Sequence, residues 1–287
     1  MTPRGFAAVP RADFLSTTYA KGDGALVWAS VDEVMADLPG AVYCSEPRPS
    51  WVLGDGGFVG LFDSPTVSKV QLTGSALVAL AACSLLGAVL RVLGEYPHRV
   101  TRLDVCLDKL QDGPTVVNRI YSKAKRGEVQ LTRKACPVSR YMSPGADGRE
   151  TGTVYLGAKR ARVRAKVYDK QHHLRSLGLP DPGPFTRFEL TVTGLVGATL
   201  HDAFRPGPLF WHYMSGLLPP PVDVPPWVAH GEGFVLPARP ELPPAGRLKR
   251  RLESSSELHS ILTQAAGVPG GWVVLRTFLH RYGFGVV

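Results

Sequence analysis

The sequence predicts an α+β protein, an antiparallel-sheet core with helices packed on it. Three observations predict this. First, RLDVCLD (102–108), VRAKVYDK (163–170) and FTRFELTV (185–192) alternate apolar and polar side chains, the period of a half-buried strand. Second, residues 75–94 and PTVVNRIYSKAKRG (114–127) read as helices, the latter with Val116, Val117, Ile120 and Tyr121 on one face. Third, 44% hydrophobic and 20% charged residues in a chain of 287 are the balance of a globular protein able to bury a real core, which excludes a disordered chain.

In chain order, residues 13–70 read as short strands and turns. These are DFLSTTYA (13–20), GALVWAS (24–30) and WVLGDGGFVGLF (51–62), the last with a Gly-Asp-Gly-Gly turn. SKVQLTG (68–74) reads as a strand running into the helix of 75–94, which Gly94 would terminate. HRVTRLDVCLD (98–108) is the clearest strand of the chain. TGTVYLGAK (151–159) and ARVRAKVYDK (161–170) read as a hairpin turning at 157–161, followed by a helix-like stretch over 169–177, a Pro/Gly loop and the strand TRFELTVTG (186–194).

Beyond residue 217 the composition changes. Nine prolines fall between Pro219 and Pro244, so 218–246 reads as a linker or extended wrap. Residues 247–287 read as a small helical segment with a basic start at Arg247, Lys249, Arg250 and Arg251. The expected organisation is therefore a sheet-based region over 1–217, the linker, and this C-terminal piece.

The formal net charge is +9 and the pI about 9.5, which favours an anionic partner such as nucleic acid. The charge is concentrated. Residues 99–175 hold eighteen Lys/Arg against seven Asp/Glu, and the rest of the chain fifteen against seventeen. The densest run, 159–175, has seven cations and one acid, Asp169, around a single tyrosine, Tyr168. Cys44, Cys83, Cys106 and Cys136 lie far apart with no C-x-x-C pair, which argues against a zinc finger or a disulfide framework and fits a reducing cytoplasm. The N-terminal stretch lacks the apolar run of a signal peptide. Residues 71–90 carry no charge over about the length of a minimal membrane span. Their Ala, Ser, Gly and Thr content and missing aromatic belts favour a helix buried against the sheet, and no membrane partner is expected.

Strand alternation sorts the central residues into two faces. Leu103, Val105 and Leu107 oppose Arg102, Asp104, Cys106 and Asp108. Val163, Ala165 and Val167 oppose Arg164, Lys166, Tyr168 and Lys170, and Phe188, Leu190 and Val192 oppose Arg187, Glu189 and Thr191. A half-exposed sheet shows such alternation without any active site. The residue types say more. Aspartate is disfavoured in strands, yet Asp104 and Asp108 stand two positions either side of Cys106. Together with Glu189 they suit a hard divalent cation, Mg²⁺ or Mn²⁺. The cations around Tyr168 suit phosphate oxygens and should favour the phenolate over the phenol. Acids, cations and a tyrosine on one face are the parts for tyrosine attack on a phosphodiester.

In that order and spacing, RLDVCLD, TVYLGAKRARVRAKVYDK and TRFELTVTG resemble the replication initiation factor (Rep-trans) family: rolling-circle plasmid initiators, filamentous-phage replication proteins and some conjugative-element relaxases. DFLSTTY and KVQLTGSAL also fit, so the resemblance runs from about residue 13 to 200. It implies a nicking-closing enzyme whose catalytic core is related in plan to HUH nucleases without their paired histidines. Such an enzyme breaks one strand at a replication origin, becomes linked to the 5′ phosphate and frees a 3′ hydroxyl. By position, the resemblance makes Tyr168 the nucleophile and Asp104 and Glu189 metal ligands, with Asp108 a further ligand. Arg187, Lys166 and Lys170 are the expected contacts to the scissile phosphate, chosen from the shared face. Lys159, Arg160, Arg162 and Arg164 are the expected DNA-binding cations. The expected partners are origin DNA, duplex and single-stranded, a host helicase or polymerase, and a second copy of the chain. The family pattern usually reads YLGS or YIGS where this chain has Tyr155-Leu156-Gly157-Ala158, a lost hydroxyl near the phosphate.

Tyr155 and Tyr141 are rival nucleophiles, Tyr155 also reading as a stacking or packing residue and Tyr141 preceding MSPGADGRE (142–150), which reads as a loop. His172 and His173 point apart on either a helix or a strand and read as surface residues. The rival function is a non-catalytic DNA-binding regulator, which needs the cations and has no use for carboxylates facing phosphates.

Overall fold

The alternating segments of the sequence become neighbours in one antiparallel sheet. The computed structural model describes residues 9–219, apart from 55, 130, 132–135, 145–147, 149, 180 and 195–196. Most of the expected linker and all of the C-terminal segment lie outside the described residues. Within them, ten strands and seven helices follow in the order β1 (Arg11–Ala20), α1 (Lys21–Ala36), β2 (Val42–Cys44), β3 (Ser50–Val52), β4 (Phe58–Asp63), β5 (Val67–Thr73), α2 (Gly74–Ala82), α3 (Leu86–Gly94), β6 (His98–Lys109), α4 (Gly113–Lys125), β7 (Val138–Pro144), β8 (Glu150–Leu156), β9 (Val163–Asp169), α5 (Lys170–Ser176), β10 (Thr186–Thr193), α6 (Leu200–Phe204) and α7 (Gly207–Met214).

The strand order is β2-β3-β4-β5-β1-β6-β10-β9-β8-β7, every pair antiparallel. The strands expected from HRVTRLDVCLD, the 151–170 hairpin and TRFELTVTG form β6, β8, β9 and β10. The apolar sets of β6, β9 and β10 share one buried core with Leu15 of β1, Val116, Val117 and Ile120 of α4, and Phe210 and Trp211 of α7. The opposite sets of these strands form a second, polar face.

Two expected elements come out differently. GALVWAS is part of helix α1, not a strand; its buried residues Gly24, Val27, Trp28, Val31 and Met35 recur at helical spacing. The helix expected over 75–94 is two, α2 and α3, broken where Ser84 takes a left-handed backbone (φ 60°). The pair bends by 116°, and among the described residues no single helix is long and apolar enough to cross a membrane. All four cysteines are free.

Candidate active site

The registers across six strands set the polar face in rows. One runs Tyr141 (β7), Thr153 (β8), Tyr168 (β9), Arg187 (β10), Asp108 (β6). The next runs Ser139, Tyr155, Lys166, Glu189, Cys106, Arg11, the last on β1. A third holds Arg164, Thr191, Asp104 and Phe14. Tyr168, Arg187, Lys166, Asp104, Asp108 and Glu189 are thus brought onto one patch, and Lys170 opens α5 directly beyond β9.

Arg187 organises the patch. Its Nε and Nη2 donate to Asp108 Oδ1 and Oδ2 at 2.6 and 2.8 Å, and its Nη1 reaches Asp13 Oδ1 at 3.3 Å. Arg11 Nη2 donates to Asp108 Oδ2 at 2.7 Å. Burial is the largest single effect and works against the Arg187 charge, but the hydrogen bonds to Asp108 and the charge interactions with Cys106, Tyr168 and Asp108 together outweigh it and hold the guanidinium pKa above its ordinary value. Asp104 accepts from Arg102 Nε at 3.0 Å, and Glu189 Oε2 lies 2.8 Å from Lys166 Nζ. Burial raises the Glu189 pKa; Lys166 pulls it down, and Asp104 and Asp13 add to the rise. All three expected metal ligands are buried.

Each of these carboxylates is therefore engaged by a cation. Among the described residues no group of three or more His, Cys, Asp or Glu side chains is set to hold a metal ion. As arranged, Asp104, Glu189 and Asp108 do not fit a divalent centre. The ion pairs with Arg102, Lys166, Arg187 and Arg11 balance the charge of these acids.

Tyr168 is half-buried beneath two lysines, Lys166 Nζ 4.7 Å and Lys170 Nζ 5.9 Å from its ring centroid. His173 meets its ring edge-on with centroids 6.0 Å apart. The expected phenolate bias is overturned. Burial raises the Tyr168 pKa, and the lowering effect of Arg187 is smaller. Burial likewise lowers the Lys170 pKa, helped by the charge of Arg187. Asp169, the single acid of the basic run, is structural: its Oδ1 accepts from the His172 backbone N–H at 3.0 Å as the N-cap of α5, and its Oδ2 from Thr151 Oγ1 at 2.8 Å.

The cations expected from the sequence to bind DNA lie mainly in the β8–β9 connection, where Lys159, Arg160 and Arg162 are exposed. Arg164, on β9, donates through Nη1 to the Lys159 carbonyl at 3.0 Å. Next to Tyr168, which does not itself line it, the polar face opens into a cavity of about 430 Å³, lined in part by Tyr141, Tyr155, Lys159, Arg164, Lys166 and Glu189. Sequence reasoning missed Asp13, Arg11 and this cavity. The signal for Asp13 was its place at the head of DFLSTTY; a bulge between Ala12 and Phe14 breaks the alternation that would have assigned it to the patch.

No protein-family model matches the chain, and no curated protein matches it. One solved structure to which the chain is similar is that of the rolling circle replication initiator protein from Geobacillus stearothermophilus. The identity is 19% and the TM-score 0.46, over 64% of this chain and 74% of that one.

Proposed function

We propose that the protein is a rolling-circle replication initiator that nicks and recloses one DNA strand through Tyr168. The observation that carries this reading is the row Tyr168–Arg187, flanked by Lys166 and Lys170, beside an open cavity on the polar face. Arg187 is pinned in orientation by Asp108 and Asp13, so it offers a fixed cation to a phosphoryl oxygen. Tyr168 Oη attacks phosphorus, an Oη–P bond forms and the P–O3′ bond breaks. The phenol proton is lost to solvent or a neighbouring base, and the departing 3′ oxygen takes up one proton to become the primer hydroxyl. The reverse attack restores the strand. Because burial keeps Tyr168 a phenol, attack requires that its proton leave as the bond forms. Lys166 and Lys170, which stand over the Tyr168 ring, are the cations set to meet the phosphate as the bond forms.

The resemblance adds Mg²⁺ or Mn²⁺ on Asp104 and Glu189, with Asp108. The ion pairs of these residues do not support that ligand set as it stands, and no step above runs through a metal. On the same reading, residues 1–217 are the catalytic region, origin DNA is the substrate and a second copy supplies the tyrosine for closing.

The test is conversion of supercoiled plasmid carrying this gene and its flanks to open circle, scored after SDS and protease, with Mg²⁺, Mn²⁺ or EDTA. Nicking by the wild type and none by Tyr168→Phe is expected. Equal nicking by both would remove Tyr168 from the chemistry. The paired carboxylates favour a second reading, a DNA-binding regulator, for which the plasmid is bound and never cut.

A further inference from the structure

We propose that the cavity beside Tyr168 is a nucleotide subsite, in which one base of single-stranded DNA stacks on Tyr141 and Tyr155 while its phosphate lies on Arg164 and Lys159. The proposal rests on the reading of the polar face as a DNA-cleavage site and specifies which form of DNA that face takes.

Four observations carry it. The two tyrosines form an edge-to-face pair with centroids 5.4 Å apart. Both are exposed, Tyr141 at 67% on the edge strand β7 and Tyr155 at 37% on β8, whose inward residues Val154 and Leu156 are buried. A pair with no role outside packing would be expected to bury its rings. The cavity of about 430 Å³ lies within the size range of small-molecule sites, large enough for one nucleotide. Its cations include a donor in reserve: among the described residues, Arg164 Nε is buried without a hydrogen-bond partner. A buried donor left unpaired is costly, and a phosphate oxygen would satisfy it.

The register gives the subsite its place. Tyr155 lies one strand from Tyr168, opposite Lys166, and Tyr141 two strands away in the Tyr168 row. At about 4.8 Å between strands, the pair stands roughly 5–10 Å from the nucleophile, the reach of an adjoining nucleotide. Stacking on a tyrosine face requires an unpaired base, so the subsite selects single-stranded over duplex DNA and tolerates any base.

The experiment is fluorescence anisotropy with full-length protein in the Tyr168→Phe background, so that cleavage plays no part. The probes are a fluorescein-labelled thymidine oligomer and an abasic deoxyribose-phosphate oligomer, each of about ten nucleotides, within the site size of one binding groove. Tyr141→Ala and Tyr155→Ala are each expected to weaken thymidine-oligomer binding by about 5- to 150-fold and to leave the abasic strand unaffected. Tyr141→Phe and Tyr155→Phe should bind as the parent does. Arg164→Ala and Lys159→Ala should weaken both strands and flatten the salt dependence by about 0.7 in log–log slope each. Thymidine binding unchanged in both alanine variants, equal losses on both probes, or no binding by the parent would each overturn the subsite. These outcomes are independent of nicking: the subsite stands if Tyr168 proves inert, and falls if the alanines are silent while Tyr168 cuts.

Discussion

Removing the Asp108 carboxylate would leave two guanidinium groups, Arg187 and Arg11, facing each other without their shared counter-ion. Asp108→Ala is expected to destabilise the protein by about 3–5 kcal/mol, read from the urea midpoint, because the partners of a buried pair are left uncompensated. A loss below about 1 kcal/mol would mean that the pair is solvated. Tyr168 makes a prediction of the opposite kind. Its pKa lies above the ordinary 10.0, so the tyrosine deleted in Tyr168→Phe should be absent from those that ionise up to that pH in an ultraviolet titration of the native protein. Glu189 adds a pH dependence. Its folded pKa is raised above 4.5, so the folded state holds the proton more tightly and stability falls as pH rises from 4.5 through the raised value. Glu189→Gln should flatten the stability–pH curve in that window; an unchanged curve would assign the slope to other acids. The identities of Tyr168, Arg187, Lys166, Asp104, Asp108 and Glu189 as one cluster were legible, because strand alternation fixes a face. Which acid pairs with which cation was not, since that depends on lateral registers the sequence does not display.

At the level of elements, the β7–β8 pair presents Tyr141 and is set by one glycine. Gly152 has φ +154°, and a Cβ there would lie 1.9 Å from the Tyr141 carbonyl oxygen. Gly152→Ala must part the two strands, and a fall in thermal midpoint with weaker thymidine-oligomer binding is expected; an unperturbed midpoint would show that the strands can yield. The cap of α5 is the second element test. Asp169→Ala loses the bonds to His172 and Thr151 and should cost about 1–2 kcal/mol, with Asp169→Asn intermediate. The hairpin of β8 and β9 was legible from its two alternating runs. Strand β7 was not, because Ser139, Tyr141 and Met142 alternate weakly and lead into a Gly-containing stretch that reads as a loop. GALVWAS was misread because seven residues are too few to separate a helix face from a buried strand without Val31 and Met35.

At the level of the molecule, an all-antiparallel sheet permits one face to be packed with helices while the other stays open; of the described cations in residues 99–175, Arg102, Arg164 and Lys166 stand on the polar face, Lys159, Arg160 and Arg162 in the β8–β9 connection, and Arg119, Lys123 and Lys125 on α4. DNA affinity should therefore fall steeply with salt, about 0.7 in log–log slope for each phosphate contact on single strands; a flat dependence would contradict a phosphate-binding face. The α+β class and the antiparallel core were legible because period-two runs recur along the chain. The sheet's order was not, since β1 sits between β5 and β6 and β10 between β6 and β9, pairings made across long stretches of chain. On the proposed mechanism Tyr168 joins the DNA covalently. The most direct measurement is mass mapping of peptides released from the protein–DNA adduct trapped after nicking. A nucleotide phosphate is expected on the peptide containing Tyr168. A modification on the peptide of Tyr155 or Tyr141, or no covalent adduct on nicked DNA, would contradict it.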